Sequence, residues 1–495
     1  MPNSASPGTP ILGQSAGRSG ESDPAGDPHS LLRAFWVLVA GLSGMYLYSS
    51  MERESVDVTW AFLITGVALL PGYLWCSGRA HGVPVLPLFS ASHIWAFAFP
   101  LVSDHPLVSL YDSEQRAVAS LTVIGFLLLV TVVWYPFVSR KRVTTPSETR
   151  MSFSSSTGDG LFLAFLAGSG LFTLIVYAGW FRLDADVMSS LRGIILGLGS
   201  LGIYVLAYRW GNGELDRNDI KWFVLLLIAF MVINATSTLL VGSMTSFLLA
   251  TIGYSIGKRR VPWGVFLVGI WIFIFLHVGK AEVRDRYLYA EDGGGSRLAT
   301  LSEYPDFFLN WISGSLEKFS GDSNQNAGQS LLQRSSLLHI LLMVEQDSPY
   351  PVPFMYGATY AHIPQQLIPR IFSPDKVSSH EGTVLLNLHY ELQASREDAA
   401  VTSIGWGLLS ESFANFGYLG VAMLATLIGT AVGALSKWGL NSPVLSFRFL
   451  CNLLVLALCF NTEISTGALL ASAYQSFIAL VGVSWPLMKP VRGNE

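Results

Sequence analysis

The residues best suited to chemistry lie where a long polar stretch, residues 280–405, meets apolar sequence at each of its ends. At the first end stands Lys280-Ala-Glu-Val-Arg284-Asp-Arg286, in which positions 280 and 284 share one face of a helix. Cations in this arrangement can bind a phosphate or diphosphate, for which arginine offers paired donors. At the second end, Glu411 can act as a general base toward a hydroxyl or can orient an arginine.

Both groups also have simpler explanations. The cations can bind lipid headgroups or form ion pairs with Glu282 and Asp285. A carboxylate near the start of a helix is favourable in itself, because it complements the positive end of the helix dipole. The residue types therefore leave a catalytic and a structural interpretation open at both ends.

Four further residues are candidates for substrate binding. Arg370 lies between a proline and a Phe-Ser-Pro turn, and the prolines on both sides would fix the backbone around it. Lys376 follows this turn, Arg334 belongs to a predicted amphipathic helix, and Asn415 lies one helical turn after Glu411. The arginines can instead form ordinary ion pairs or solvate a polar surface.

The elements that must position these residues are membrane-spanning helices. Hydrophobic residues make up 51% of the chain and charged residues 13%, about half the charged share of a soluble domain. We therefore predict an all-α polytopic membrane protein with about twelve spans of roughly 20 residues each. They are 31–50, 57–76, 85–102, 116–138, 159–181, 192–208, 222–235, 238–256, 262–279, 406–435, 447–461 and 466–488. Residues 222–257 carry no charge and are interpreted as two short helices or a re-entrant pair.

The distribution of cations predicts the orientation in the membrane. With a cytoplasmic N-terminus, the short loops on that side carry 15 Lys and Arg and those on the other side carry 4. Because cytoplasmic loops are enriched in cations, we expect both termini inside and residues 280–405 outside. The chain then divides into a disordered tail (1–30), spans one to nine (31–279), an extracytoplasmic catalytic or binding loop of short helices (280–405), spans ten to twelve (406–488) and a cytoplasmic tail (489–495).

Several functional classes lack support in the sequence. A net charge of −4 gives no indication of nucleic-acid binding, and no Walker glycine loop is present to support ATP-driven transport. The histidines have no metal-ligand spacing, so we expect neither a metal nor a cofactor. Within or beside the predicted spans the main ionisable groups are Glu411, Glu463, His93 and His277, which do not form a proton relay across the membrane.

With these features in place, the chain resembles the Wzy-type polymerases of O-antigen and other oligosaccharide repeat units. The resemblance covers the order of the spans, with a large extracytoplasmic loop between late ones. It is most specific in three runs: Pro353-Phe-Met-Tyr-Gly357, Ile368-Pro-Arg370-Ile-Phe-Ser-Pro-Asp-Lys376 and Ser410-Glu411-Ser-Phe-Ala-Asn415-Phe-Gly417. Ser373 departs from the tryptophan that the family pattern often has, a change that leaves the charges intact.

The resemblance implies a GT-C-like membrane glycosyltransferase at the outer face of the inner membrane. It would move a glycan from polyprenyl diphosphate onto a second lipid-linked repeat unit during O-antigen, exopolysaccharide or capsule synthesis. The expected catalytic residues are Arg284, Arg370 and Glu411, and the expected substrate-binding residues are Lys280, Arg286, Arg334, Lys376 and Asn415. The expected partners are the lipid-linked oligosaccharide, the bilayer, a flippase and a chain-length regulator.

Three alternatives remain open at this point. An O-antigen ligase-like enzyme would share the architecture and use an essential loop histidine, for which His339, His362, His380 and His389 are available. A transporter of lipid-linked glycans would need a charged cavity within the spans. A structural scaffold would need no groove for an acceptor.

Overall fold

A computed structural model gives the arrangement of most of the chain. It describes residues 28–49, 51, 55–103, 105–140, 150–154, 157–177, 180, 185–236, 240–287, 303–320, 336–368, 373, 376–401, 404–459 and 463–491. Arg334 and Arg370 lie outside the described residues, and the side chains of Arg284 and Arg286 are also outside the description. The predicted roles of these four arginines therefore stay predictions.

The described chain is almost entirely helical. The helices are α1 (Pro28–Ser49), α2 (Ser55–Cys76), α3 (Val85–His93), a π-helical turn (Ile94–Ala98), α4 (Phe99–Val102), α5 (Ser113–Val138), α6 (Asp159–Tyr177), α7 (Ala185–Asn212), α8 (Arg217–Ala235), α9 (Leu240–Lys258), α10 (Trp263–Tyr287), α11 (Tyr304–Ser320), α12 (Leu338–Asp347), α13 (Ile363–Leu367), α14 (Glu381–His389), α15 (Arg396–Val401), α16 (Gly407–Gly439), α17 (Phe447–Leu458) and α18 (Thr466–Leu487). Two short strands, β1 (Arg150–Ser152) and β2 (Lys489–Val491), pair antiparallel with Arg150 opposite Val491.

Eleven helical stretches in the described part of the chain are long and apolar enough to cross a membrane. The prediction of an all-α, multi-pass membrane protein is confirmed, and the described residues contain eleven candidate spans where about twelve were predicted. The missing one is α17, whose 12 residues extend about 18 Å, well short of a hydrocarbon core of about 30 Å. The chain around α17 still runs from one end of the bundle to the other, because Ser446 pairs with Ser152 and Thr466 binds Glu411.

The uncharged stretch 222–257 forms two antiparallel helices, α8 and α9, each of 19 residues. A helix of that length extends about 28 Å, so each is a candidate span in its own right. The prediction of two helices is confirmed, and each of them is long enough to be a candidate span. The predicted break coincides with the end of α8, where Asn234 Nδ2 donates to the carbonyl of Phe230 at 2.8 Å.

Small residues allow the longest helices to pack closely. A Cβ atom on Gly257 of α9 would lie 2.2 Å from the carbonyl oxygen of Tyr208 on α7, and one on Gly253 would lie 2.7 Å from that of Tyr204. On α16, a Cβ on Gly429 would lie 2.9 Å from the carbonyl oxygen of Val130 on α5. Without a hydrophobic driving force between helices in lipid, such close backbone approach is a main source of their association.

The bundle has two distinct ends. One of them, here called the strand end, carries β1 and β2 and the connections 77–84, 213–216 and 259–262; there the His81 amide donates to the carbonyl of Val138 at 3.1 Å. The other, here called the insert end, carries the described residues between 303 and 406 and those of the connection 103–112; there Arg116 Nε lies 2.9 Å from Asp57 Oδ1. Successive connections therefore alternate between the ends, as expected for a chain that crosses the bundle repeatedly.

The insert is joined to the bundle partly through the main chain. In the π-helical turn the usual i to i−4 hydrogen bonds are interrupted, and the carbonyl of Ala96 accepts from the Leu337 amide at 3.0 Å. This bond fixes the start of α12 against α3 and α4. On the other side of the insert end, α11 packs on α10, where Trp311 Nε1 donates to the carbonyl of Leu276 at 2.6 Å.

Candidate active site

The candidate site is built around an interruption in α16. Phe416 (φ −142°, ψ 15°) and Gly417 (φ 59°, ψ −145°) leave the helical conformation, so α16 consists of a short first part, Gly407–Asn415, and a long second part. The Gly417 conformation is open essentially only to glycine. The break frees the carbonyls of Ala414 and Asn415, which accept from the amides of Met355 and Tyr356 at 3.0 Å each.

Asn415 connects the broken helix to the segment above it. Its Oδ1 accepts from the Gly357 amide at 2.9 Å, while its Nδ2 donates to Thr359 Oγ1 at 2.9 Å and to the carbonyl of Glu411 at 2.8 Å. Because the side chain is fully buried, all three bonds form without competition from water. Asn415 therefore holds residues 355–359 directly over the first part of α16, and it does not face open solvent.

Glu411 is fully buried below this segment, and its two oxygens have different surroundings. Oε2 accepts from the amide and from the hydroxyl of Thr466, at 2.6 and 2.8 Å, which ties α16 to the first turn of α18. Oε1 has no hydrogen-bond partner among the described residues. The side chain of Thr359 lies next to this carboxylate, and a Cβ on Gly382 would lie 3.5 Å from Oε1.

A second buried acceptor, the side-chain oxygen of Gln366, lies against Gly467, the residue that follows Thr466 in α18. Gln366, 2% exposed, donates from Nε2 to the carbonyl of Ser378 at 2.9 Å. This bond fixes the orientation of the amide, since a flipped amide would place two oxygens face to face. Its Oε1 then lies against Gly467, where a Cβ would be 2.8 Å away, and has no hydrogen-bond partner among the described residues.

A phenol covers the same region. Tyr360 stacks on Phe416, with ring centroids 6.4 Å apart, next to the break in α16. Burial raises the pKa of Tyr360, and the nearby carboxylate of Glu411 raises it further. The phenol therefore stays protonated at neutral pH and is available as a hydrogen-bond donor.

The two sequence ends of the insert lie side by side. The Gly407 amide donates to the carbonyl of Glu463 at 3.3 Å, and a Cβ on Gly405 would lie 2.8 Å from Glu463 Cβ. Although Glu463 reaches the surface, desolvation raises the pKa of its carboxyl, and the positive charge of Lys280 opposes this rise. Lys280, near the end of α10, therefore lies close to the start of α16.

The other predicted residues are placed as follows. The backbone of α10 continues through Arg284 and Arg286 to Tyr287, so the segment leaves the apolar region as a helix, as predicted. Lys376 is partly exposed and donates from Nζ to the carbonyl of Ile368 at 2.8 Å, which closes the loop after α13. The structure thus brings Glu411 and Asn415 into direct contact and places Lys280 near Glu463, beside the start of α16, whereas Lys376 forms a local bond.

Neither a family model, nor a curated protein, nor a solved structure matches this chain. In the described part of the chain, no group of three or more His, Cys, Asp and Glu is arranged to hold a metal ion.

A further polar cluster, missed by the sequence reasoning, lies where α12 meets α5. Thr122 Oγ1 donates to Glu345 Oε1 at 2.6 Å, and Glu345 Oε2 has no hydrogen-bond partner among the described residues. Burial raises the pKa of Glu345 to about 7, against the opposing effect of Thr122. On the same helix His339 stacks on His105 at 5.3 Å between centroids, and burial together with the charge of His105 lowers the pKa of His339 to about 4.

These omissions have a common cause. Glu345 stands on an amphipathic helix of the insert, where a glutamate normally faces water, and Gln366 and Thr466 carry no charge that a search for membrane-embedded ionisable groups could detect. The spacing of Leu338, Leu341 and Leu342 on one face of this helix is the signal in the sequence that could have indicated its burial against the bundle.

Proposed function

We propose that this protein is an integral-membrane glycosyltransferase of the repeat-unit polymerase kind, with a GT-C-like arrangement. It would transfer a glycan from polyprenyl diphosphate to another lipid-linked repeat unit at the outer face of the inner membrane. The observation that carries the proposal is the pair of buried acceptors, Glu411 Oε1 and Gln366 Oε1, at successive residues of α18, Thr466 and Gly467.

Unpaired buried acceptors favour a ligand rich in donors. Leaving a buried acceptor unpaired costs about 1–3 kcal/mol, and more when the group is charged. Sugar hydroxyls provide many donors within a small volume. A buried carboxylate oxygen and a buried amide oxygen on groups that lie against successive residues of α18 would therefore suit a saccharide acceptor better than an apolar or anionic ligand.

The same carboxylate provides a route for the proton. The acceptor hydroxyl attacks the anomeric carbon, the bond from that carbon to the diphosphate oxygen breaks, and the diphosphate leaves with the electron pair. Glu411 takes the hydroxyl proton on Oε1, while Thr466 keeps Oε2 in place. Lys280, together with Arg284, Arg286, Arg334 and Arg370, would stabilise the negative charge that develops on the leaving diphosphate.

Access to Glu411 requires a movement of its cover. The carboxylate is fully buried below the segment 355–366 and beside α14, so an acceptor hydroxyl reaches Oε1 only when this segment shifts. Closure of the segment over a bound saccharide would exclude water from the reaction, which protects the activated sugar from hydrolysis.

An apolar cavity supports a lipid-linked substrate. It has a volume of about 280 Å³ between α7, α9, α17 and α18. It is lined mainly by leucine, and its polar lining residues are Ser200, Tyr204, Thr245, Ser472, Gln475 and Ser476. It lies beside the end of α17 at Leu458, where Gly193 and Gly197 allow α7 to approach α18 closely. An isoprenoid chain can fill such a space.

The decisive test is Glu411→Gln in cells that lack the native gene, with analysis of the lipid-linked saccharides. The amide keeps an oxygen for Thr466 but cannot take a proton, so we expect single repeat units to accumulate while the protein stays folded in the membrane. Arg370→Ala should have the same effect. Glu397→Gln and Arg396→Ala, at exposed positions on α15, are the matched controls and should leave polymer length unchanged.

The outcomes separate the alternatives. Polymer of normal length from both Glu411→Gln and Arg370→Ala would refute the proposal. In cells lacking the gene, complete polymer that is not attached to its final acceptor would indicate the ligase alternative. Accumulation of the lipid-linked saccharide on the cytoplasmic side would indicate a transporter.

A further inference from the structure

We infer that a cavity at the strand end binds one anionic glycerophospholipid, with an acyl chain in the cavity and the phosphate at Arg259 and Arg260. The cavity has a volume of about 300 Å³ and lies between α1, the end of α2, α9, α10 and the start of α17. This site is at the opposite end of the bundle from the candidate active site, and the inference does not depend on the proposed function.

The walls of the cavity suit a hydrocarbon chain. Most lining side chains are apolar, among them Leu31, Leu88, Ile252, Phe266 and Leu453. The polar side chains from α9, Thr251 and Ser255, bond back to their own helix, Thr251 Oγ1 to Phe247 at 2.9 Å and Ser255 Oγ to Thr251 at 2.6 Å. They therefore present mainly their carbon atoms to the cavity.

The mouth of the cavity suits a phosphate. Arg259 and Arg260 both line it and both are exposed, in the short connection between α9 and α10. Arg259 has φ 55°, a left-handed conformation that turns the chain sharply here and places two adjacent arginines at one rim. Trp75 and Trp263 line the same rim, and tryptophan is enriched at the level of lipid headgroups.

The cavity opens toward lipid and away from bulk water. Its lining includes residues of α1 and α10, the two spans with the least buried surface, at 6% and 11% of their residues. Helices this sparsely covered by protein face the hydrocarbon of the bilayer. A ligand that enters between them is therefore a lipid, and the two guanidinium groups select a lipid whose headgroup has a net negative charge.

The test uses the full-length protein, purified in detergent and stripped of lipid, and titrated with phosphatidylglycerol or phosphatidylcholine in mixed micelles. Binding is followed by mass spectrometry of the intact complex. Arg259→Gln/Arg260→Gln should weaken phosphatidylglycerol binding about 30-fold. Each basic residue at an anionic lipid surface contributes about 1 kcal/mol, and about 1.4 kcal/mol corresponds to a factor of ten in affinity. Ser255→Phe should weaken it as well, because the phenyl ring occupies the space for the acyl chain.

Two controls keep the test specific. Arg217→Ala/Lys221→Ala removes two exposed cations of α8 near the same end of the bundle that do not line the cavity, and should leave binding unchanged. Arg259→Lys/Arg260→Lys keeps the charge and should retain most of the affinity, which also covers the case in which the glutamine variant fails to fold.

The inference fails if the wild-type protein binds phosphatidylcholine as tightly as phosphatidylglycerol. It also fails if the glutamine variant binds like the wild type, or if Ser255→Phe has no effect while inorganic phosphate alone competes. The last result would show a simple phosphate site at the two arginines.

Discussion

Gly417→Ala tests whether the break in α16 is held by backbone conformation. At φ 59° and ψ −145°, a residue with a Cβ is strained by about 1–3 kcal/mol. The new Cβ would also lie 3.0 Å from Cζ of Phe354, and relieving an overpacked contact of this kind costs on the order of 1 kcal/mol more. We therefore expect a loss of about 3 kcal/mol in the free energy of unfolding.

The measurement is thermal unfolding in detergent, followed by tryptophan fluorescence. With an unfolding entropy of about 2 cal/mol/K per residue, a loss of about 3 kcal/mol lowers the Tm of a chain this long by about 3 °C. Gly125→Ala is the matched control, since Gly125 lies within α5 and a Cβ there would have nothing within 4 Å. It should leave the Tm unchanged or raise it slightly.

A double variant separates the two contributions. Phe354→Leu removes the ring that the new Cβ approaches. In the Gly417→Ala background it should therefore recover the loss of unfolding free energy that comes from packing, and leave the loss that comes from the backbone conformation. The reasoning would be refuted if Gly417→Ala unfolded at the same temperature as Gly125→Ala. Complete recovery in the double variant would show that the conformation of Gly417 carries no strain.

Three further predictions concern single side chains. Asn415→Ala should lower the free energy of unfolding by about 2–4 kcal/mol in the same assay, because it leaves the buried Gly357 amide and two other groups without their partner. Glu345 has a pKa raised from 4.5 to about 7, so the stability of the wild type should fall as the pH rises between these values, and Glu345→Gln should remove that slope. His339 has a pKa lowered from 6.5 to about 4, so its contribution to stability has the opposite sign, and stability should be lost as the pH falls from 6.5 to 4. His339→Phe keeps an aromatic ring for the stack on His105 and should abolish this loss. An unchanged pH profile in either variant would show that the group does not titrate in this range.

The membrane architecture could be read from the sequence because length and apolar composition decide whether a helix crosses a bilayer. The spans at 85–102 and 159–177 and the division of 222–257 all follow from that requirement. The length of α17 could not be predicted, since residues 453–460 are all apolar although the helix ends at Leu458. Composition shows where a helix can lie, whereas its end depends on contacts with other helices.

The site was predictable only in part. Glu411 was identified because a carboxylate within an apolar segment is costly and therefore informative. Its partner Thr466 is 55 residues further along the chain, and no pattern links the two positions. Gln366 became a candidate only when the fold placed it on Gly467. Pairings across such distances depend on the tertiary arrangement of α13, α16 and α18.

The insert is attached to the bundle at two irregular turns, and both attachments use main-chain atoms. The Leu337 amide binds the Ala96 carbonyl at the π-helical turn, and the amides of Met355 and Tyr356 bind carbonyls at the break in α16. Every residue type except proline has a main-chain N–H group, and every residue has a main-chain carbonyl. These hydrogen bonds therefore place almost no requirement on the side chains of the residues that form them. Apart from Gly417 and Asn415, two proteins could share this docking while differing at most positions that form it, and a comparison based on residue identity would then find little to align here. The geometry of the two irregular turns would be the better basis for recognising a relative.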